Sequence, residues 1–567
     1  MKPRIKPILI NKDVTVKKAM TLIQAAPRHK IKDVPTGMAL VIDKKHKLLG
    51  VVTDGDIRRA ILKGMSIDEP VEKIMRKDPV ITKRGASPTE MSKDVINQIE
   101  KREIANKTVN KVIIINESNK VHDVISFFDI LKNTEIQSLN ICVIGLGYVG
   151  LTLALTLADI GFKVVGVDSN KKIIDSLNKG EPHFHEVGLE SLLKHHINKK
   201  FTVETDIKRA KSDVYIVAVN TPVENKKVIM TYLEGATKSL GAVLKPHDLV
   251  ILRSTVPVGT CKNVCIPILE KESGLRAGEE FHLAFAPERT VEGKALEELK
   301  TLPQIIGGFN KTSLDLTTKL FDQLTKVIVP VANLEAAEMA KLLNNTFRDL
   351  SFAYANEIAQ VCDAFNINSF EVINAANNGY PRNKIPLPSP GVGGACLTKD
   401  PYILADSSRK AGFEPRLPIL GRDINIRMID YVVSRVNKFL KNDNKKGNVF
   451  VMGMAFKGYP ETSDLRFSTS VEIVNELSKK HNVKVYDSVV SSSALKKEGF
   501  NSISLEKGFK DADCVLVLNN HPSFRDIDVY KLLSTMNKPG LFFDGWNLFN
   551  ESTINNVPCI TYGTFGK

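Results

Sequence analysis

One cysteine stands out for the company it keeps. In Pro390-Gly391-Val392-Gly393-Gly394-Ala395-Cys396-Leu397-Thr398-Lys399-Asp400 a thiol sits in a glycine-rich turn, with a lysine and an aspartate close behind. A cation beside a thiol favours the thiolate, and glycines let backbone and substrate approach without a Cβ between them. Next to a nicotinamide cofactor, such a thiolate would carry an alcohol oxidation past the aldehyde to the acid, because a covalent hold keeps the intermediate in place between two hydride transfers. Cysteines outside disulfides are commonly small buried hydrophobes, so this reading needs a cofactor site elsewhere in the chain.

That site is readable upstream. The apolar run Ile141-Cys142-Val143-Ile144 leads into Gly145-Leu146-Gly147-Tyr148-Val149-Gly150 and then into Leu151-Thr152-Leu153-Ala154-Leu155. Strand, tight turn and helix in that order place a pyrophosphate at a helix N-terminus. Asp168 ends a second strand, Lys163-Val164-Val165-Gly166-Val167, about twenty residues on, where a carboxylate accepts the ribose hydroxyls and repels a 2′-phosphate. The expected cofactor is therefore NAD. Two further runs, Val214–Val219 before Asn220-Thr221-Pro222 and Val250–Arg253 before Ser254-Thr255-Val256-Pro257, set hydroxyls and prolines at the C-terminal ends of strands, the ligand-binding edge of an α/β sheet.

Positioning these residues requires several domains, and 567 residues allow three or four. The net charge is +15, but the lysines are spread along the chain without aromatic interleaving, which reads as a solvated face rather than a nucleic-acid surface. Seven cysteines, scattered and odd in number, fit reduced thiols, and no zinc-ligand spacing is present, so no metal is expected. No run of eighteen apolar residues and no signal-like leader appear, so a cytoplasmic protein without membrane contact is expected.

The first third contains a repeat. Val41-Ile42-Asp43, a turn, and Leu48–Thr53 run into Asp54-Gly55-Asp56-Ile57; Val112–Asn116, a turn, and Val121–Ser126 run into Phe127-Phe128-Asp129-Ile130. A hydroxyl three residues before an aspartate ends each β-rich run: Thr53 with Asp56, and Ser126 with Asp129. This stretch, about residues 5–133, resembles a tandem pair of CBS domains. The resemblance implies an adenine-nucleotide site, with the hydroxyls on phosphate and the aspartates on ribose. The second copy departs from the first in having Asp123 where the first has Gly50. These residues also suit helix N-caps, and the pair could equally be an oligomerisation module.

Beyond the polar linker at 132–138, six motifs in order resemble the UDP-glucose/GDP-mannose dehydrogenase family. They are the Gly145–Gly150 fingerprint, Asn220-Thr221-Pro222, Ser254–Pro257, Ala286-Pro287-Glu288-Arg289, the Cys396 segment, and Gly453-Met454-Ala455-Phe456-Lys457-Gly458 followed by Asp464-Leu465-Arg466. The fold class implied is α/β: two Rossmann-like domains joined by a central helical segment, preceded by the α+β tandem CBS module. The domains are expected at 1–134, 139–330 (NAD), 331–440 (helical, dimer-forming, with the cysteine loop) and 445–567 (UDP-binding).

The activity implied is a four-electron oxidation of a nucleotide sugar's C6 alcohol through a thiohemiacetal and a thioester on Cys396. The resemblance makes Lys341 the acid/base and oxyanion donor, with Asn345 one turn on at i+4, Glu288 the base for water, Asp400 the holder of Lys341 and water, and Thr255 a hydroxyl in the water network. Arg466 carries over as a cofactor contact. Lys457, Arg289, Gly393 and Arg382 carry over as substrate contacts, Arg382 to a neighbouring subunit's sugar. Ala286–Ala295 and Tyr380-Pro381-Arg382 are similar to the UDP-N-acetylhexosamine branch, whereas Lys399-Asp400 is closer to the UDP-glucose enzymes. The favoured substrate is UDP-GlcNAc or UDP-ManNAc, on the way to a surface polysaccharide. UDP-glucose is the alternative, and an adenylate-sensing regulatory protein with a degenerate dehydrogenase part is the reading from another class. A homodimer or higher homo-oligomer is expected.

Overall fold

The computed structural model describes residues 2–29, 31, 34–86, 90–91, 94–95, 97–98, 111–126, 130, 139–440 and 446–566. The chain divides into two units, 1–139 and 140–567, each considered by itself.

In the first unit the sequence repeat is a structural repeat. β1 (Leu9–Asn11) pairs parallel with β2 (Met38–Ile42), which pairs antiparallel with β3 (Leu48–Thr53); β4 (Ile81–Lys83), β5 (Lys111–Ile115) and β6 (Val121–Ser126) repeat the pattern. The register slips at the same place in both copies, between Val41 and Ile42 and between Ile114 and Ile115. The apolar run of β2 is buried along its whole length, as a central strand requires. Asp129 and the 132–138 linker lie outside the described residues.

The second unit carries two doubly wound sheets. Eight strands line up as β16-β15-β14-β13-β10-β7-β8-β9, with β7 (Asn140–Ile144), β8 (Lys163–Val167), β9 (Phe201–Glu204), β10 (Val214–Val217), β13 (Leu249–Leu252), β14 (His282–Phe285), β15 (Gln304–Gly308) and β16 (Ile328–Val331), while β11 (Val223–Glu224) and β12 (Lys227–Val228) pair as a separate antiparallel ribbon. Six of them follow the dinucleotide-binding order, and the strand order reverses between β7 and β10, where a ligand crevice opens. The pairing of β14 with β15 is antiparallel, which adds an edge that the sequence reading did not anticipate. Gly145 takes φ +91°, and a Cβ on Gly150 would lie 1.8 Å from the Gly145 carbonyl oxygen, so both positions require glycine. The second sheet, β18-β17-β19-β20-β21, is all parallel; its strands are β17 (Asn448–Met452), β18 (Asn482–Tyr486), β19 (Cys514–Val517), β20 (Gly540–Asp544) and β21 (Ile560–Gly563). Its switch point lies between β17 and β19, beside the Gly453–Gly458 loop.

A 31-residue helix, Leu334–Ala364, leaves β16 after a cap in which Asn333 accepts from the Ala336 N–H at 2.8 Å. Its buried stripe is unusually polar, with Glu338, Lys341, Asn345, Thr346, Asp349 and Asn356 among the buried positions. Such a stripe persists only where each group finds a partner. The helix packs against Leu417–Leu440 and Asp400–Lys410. Among the described residues no helix is long and apolar enough to cross a membrane.

Candidate active site

The cysteine turn hangs from helices. Cys396 precedes the helix Asp400–Lys410, and its carbonyl accepts from the Asp400 N–H at 2.9 Å. Upstream, the Ser389 N–H donates to Asn356 Oδ1 at 2.8 Å, and Arg422 Nη1 donates to the Val392 carbonyl at 3.3 Å and to Asp349 Oδ1 at 2.7 Å. Asn425 Nδ2 also reaches Asp349 Oδ1, at 2.9 Å, and Asn356 Nδ2 reaches Asn425 Oδ1 at 2.9 Å. Asp349, Asn356, Arg422 and Asn425 are all buried, so the long helix and Leu417–Leu440 together fix where the thiol stands.

Solvent reaches Cys396, yet protein surrounds it on most sides. This burial pushes its pKa above the ordinary thiol value; Lys341 pulls it down, Asp400 pushes it up, Lys399 pulls it down and Glu292 pushes it up. Burial and two carboxylates thus oppose the two cations, and the balance leans toward the thiol rather than the thiolate.

Lys341 and Asn345 share the buried face of the long helix, 7% and 8% exposed. Asn345 Nδ2 donates to Asp400 Oδ2 at 2.5 Å. The other oxygen of the fully buried Asp400 has no hydrogen-bond donor among the described residues and lies 3.9 Å from Lys399 Nζ. An unfilled acceptor at that depth is suited to a water or a substrate hydroxyl.

Glu288 is differently placed from a free base. Arg253, itself buried, donates to its Oε2 from Nε at 3.1 Å and from Nη2 at 2.5 Å, while the N–H groups of Arg289 and Thr290 donate to its Oε1 at 2.7 and 2.8 Å. Burial alone would raise its pKa, but the Arg253 guanidinium and the backbone donors hold it below the usual carboxylate range. Four residues on, Glu292 is the carboxylate that sequence reasoning missed. Burial, with the Asp464 charge added, pushes it up to about 6 against the pull of Arg466 and Lys457. Thr462 Oγ1 donates to its Oε2 at 3.3 Å, and Lys457 Nζ donates to its backbone carbonyl at 2.5 Å. It stands in an irregular loop, where spacing from Glu288 carries no signal that could have found it.

At the cofactor edge, the Leu146 N–H donates to Asp168 Oδ2 at 2.9 Å, fixing the carboxylate beside the glycine turn. Gly147 caps the helix Tyr148–Asp159 without a side-chain acceptor, and a Cβ built on it meets nothing within 4 Å. Uncapped N–H groups facing open space, with an acid at the next strand end, fit the diphosphate and ribose of NAD. The Tyr148 hydroxyl donates to Glu186, whose oxygens also take the N–H groups of Gly293 and Ala295 at 2.7 and 2.8 Å; Val149 follows Tyr148 in the first turn of that helix. Thr221 donates its hydroxyl to the Thr255 carbonyl, and Pro222 follows it. Lys399 Nζ, the cation read beside the thiol in the sequence, reaches the Thr221 carbonyl and Oγ1 at 3.2 Å each and so ties the thiol turn to the strand end of the cofactor sheet.

The remaining expected contacts separate. Burial lowers the Lys457 pKa to about 8. Arg466 is forked onto Asp464 at 2.6 to 2.9 Å. Gly393 backs onto the Phe467 carbonyl, which a Cβ would approach to 2.5 Å. Arg289 is committed to the Pro303 carbonyl. Arg382 is exposed and engages only Tyr380, through a 3.1 Å hydrogen bond and a stacked guanidinium, among the described residues. In the first unit Thr53 and Asp56 form a capping box, and Arg59 and Arg76 also bind Asp56, at 2.6 and 3.3 Å, so the N-cap use is the one observed; Ser126 ends β6.

The chain matches three models of one family. The NAD binding domain of the UDP-glucose/GDP-mannose dehydrogenase family matches over residues 139–325, its central domain over 335–427 and its UDP binding domain over 450–551. A CBS domain model matches residues 1–63. A UDP-N-acetyl-D-mannosamine dehydrogenase of Pyrococcus horikoshii is 34% identical over 427 residues, 74% of this chain and 98% of that protein. An NDP-N-acetyl-D-galactosaminuronic acid dehydrogenase of Ralstonia solanacearum is 33% identical over 409 residues, 70% of this chain and 95% of that protein. The solved structure of a UDP-D-ManNAc dehydrogenase from Pyrococcus horikoshii aligns with TM-score 0.68 at 33% identity, over 75% of this chain and 99% of that one.

Proposed function

Since the chain belongs to the UDP-glucose/GDP-mannose dehydrogenase family and is an NAD-dependent nucleotide-sugar dehydrogenase, we propose that it oxidises the C6 hydroxyl of a UDP-N-acetylhexosamine to the uronic acid through Cys396. The observation that carries this reading is the assembly of Cys396, Lys341, Asn345 and Asp400 from two separate segments around one thiol. Two relatives named for N-acetylmannosamine and N-acetylgalactosaminuronic acid support the substrate class, and within it UDP-ManNAc, which the first of them names, and UDP-GlcNAc are the substrates proposed.

Bound NAD supplies the hydride acceptor at each of the two oxidations. In the first, Lys341 faces the C6 oxygen and accepts its proton or stabilises its negative charge. Cys396 then adds to the aldehyde carbon, its proton passing to a neighbouring carboxylate. The second hydride leaves the same carbon and a thioester remains on sulfur. Water held at the unfilled Asp400 oxygen opens it, returning the thiol and releasing the carboxylate. Glu292, with its raised pKa, suits the proton transfers better than Glu288, whose oxygens are filled and which instead shapes the loop that follows it. The Gly453–Lys457 loop, at the switch point of the second sheet, is where the diphosphate of the UDP part would lie, with Lys457 as its cation.

Several finer assignments belong to the same reading: Arg382 reaches the sugar of a second copy, the assembly is a homodimer or larger, the enzyme works in the cytoplasm for surface polysaccharide synthesis, and adenine nucleotide at Thr53, Asp56, Ser126 and Asp129 adjusts activity. The test counts NADH released per sugar consumed, with UDP-ManNAc, UDP-GlcNAc and UDP-glucose offered separately. Two NADH with an acetamido sugar preferred is the expected result. One NADH removes the covalent role of Cys396, and preference for UDP-glucose overturns the substrate class.

A further inference from the structure

In the first unit, two turns are built alike and differ in charge. Asp43 Oδ1 accepts from the N–H groups of Lys45 and Lys47 at 2.8 Å each, and Asn116 Oδ1 accepts from those of Ser118 and Lys120 at 3.1 and 2.9 Å. His46 and Asn119 hold the left-handed position, at φ 64° and 57°. The turns join each other: the Leu48 N–H donates to the Asn119 carbonyl at 3.1 Å and the Val121 N–H to the His46 carbonyl at 3.4 Å. This geometry asks only for a side-chain acceptor and a residue tolerant of positive φ in each turn. The other positions are free, and they read Lys44-Lys45 in the first copy against Glu117-Ser118 in the second.

Where the turns meet there is a cavity of about 460 Å³, lined by Lys44, Lys45, His46, Arg84, Lys120 and His122 among others. Arg84 arrives from the end of β4, its N–H bound to the Ile115 carbonyl at 2.8 Å. No carboxylate is among the described lining residues, Glu117 of the second turn included. Asp43 holds its turn, and Asp123, fully buried, takes Arg4 at 2.9 and 3.0 Å and Lys2 at 2.7 Å. Among the described residues no carboxylate forms an ion pair with Lys44, Lys45, Arg84 or Lys120. Burial and the facing Arg84 cation hold the His122 pKa below its ordinary value, as expected where the local potential is positive. Cations on an ordinary surface spread apart; four gathered on one concavity repel one another within a Debye length unless an anion joins them.

We propose that this cavity binds a polyphosphate group, either as free inorganic tripolyphosphate or as the tail of a nucleoside triphosphate. Four cations match the charge of linked phosphates better than that of one, and the volume falls within the range of small-ligand pockets, roughly 300–1,000 Å³. Among the described residues no Phe, Tyr or Trp lines the cavity, so beyond the small rings of His46 and His122 it offers a base little stacking face and reads charge density instead. It is also separate from the Thr53–Asp56 cap: β3 runs from the turn to Thr53, a distance of roughly 16 Å, so phosphates at the turn end are out of hydrogen-bond reach of that cap.

The test is calorimetric titration of the full-length protein with tripolyphosphate, pyrophosphate, ATP, AMP and a single-stranded oligonucleotide. Lys44, Lys45, Arg84 and Lys120 are exposed, so truncating them removes no buried contact. The expected pattern is tight binding of tripolyphosphate, with ATP similar and AMP at least about tenfold weaker. The Lys45→Ala/Arg84→Ala double variant should lose about 100-fold for tripolyphosphate, at about tenfold per charge-assisted contact, and Asp56→Asn should leave that affinity unchanged. Absence of tripolyphosphate binding, its survival in the double variant, or its loss in Asp56→Asn alone would overturn the proposal. AMP binding as tightly as ATP, or an oligonucleotide outcompeting tripolyphosphate, would also overturn it, the last by making the surface one for nucleic acid.

Discussion

The thiol of Cys396 is balanced between two cations and two carboxylates, and each residue around it has a distinct expected signature. Cys396→Ala should stop acid formation, lowering turnover to uronate by on the order of 10³ or more, while the first hydride transfer survives; NADH and uronate measured in the same reaction separate the two. Lys341→Ala should lower kcat by about 10²–10³ with little change in KM, as expected for a donor that acts where charge develops. Glu292 should appear in the pH profile. Its pKa is raised to about 6, so the carboxylate needed as a base fills in as pH rises through that value, and Glu292→Gln should erase the acid limb of kcat near pH 6. Stability runs the other way, because the fold prefers the protonated form: the contribution of Glu292 is fullest below the ordinary carboxylate range and is lost as pH rises through about 6.

At the scale of elements, the buried network of Asp349, Arg422, Asn425 and Asn356 is what the Cys396 turn rests on. Arg422→Leu leaves Asp349 buried without its cation and should cost about 3–5 kcal/mol, read by urea unfolding, with activity falling in parallel because the Val392 anchor goes too. None of this network was legible in the sequence. The glycine fingerprint, the strands and Asp168 were, because each is a local pattern whose meaning is settled within a few residues. Lys341 and Asn345 were placed on one face by their spacing, and the structure keeps them there. Arg253 lies 35 residues from Glu288, Asp349 lies 73 from Arg422, and Thr221 lies 178 from Lys399. Partners at such separations leave no periodic trace, so Glu288 read as a free base, Glu292 passed unnoticed, and Lys399 read only as the cation beside the thiol and not as a tie to Thr221.

Over the whole molecule, two surfaces await tests of their own. The long helix exposes Phe347 (72%) and Phe365 (71%), with Leu343 and Tyr354 also exposed, and Leu417 and Leu420 stand out from the helix that packs on it. Apolar groups of that size in water mark an interface, and a second copy of the chain is the proposed cover. Phe347→Asp should shift sedimentation toward monomer and, if Arg382 reaches across, raise KM for the sugar as well. A chain lacking residues 1–134 should still release two NADH per sugar; loss of any response to nucleotide in that chain would locate regulation in the first unit, and an unchanged response would exclude it there.

The support beneath the cysteine turn has a mechanical meaning. On the proposed covalent route, a dinucleotide must leave and another must enter while a half-oxidised sugar stays bonded to sulfur. The turn before Cys396 is pinned to two packed helices, and Lys399 is the contact described between that turn and the Thr221 strand end. The sulfur is thus surveyed from the helical spine, like a vice bolted to a bench, so the clamped sugar would keep its place while one dinucleotide is exchanged for the next.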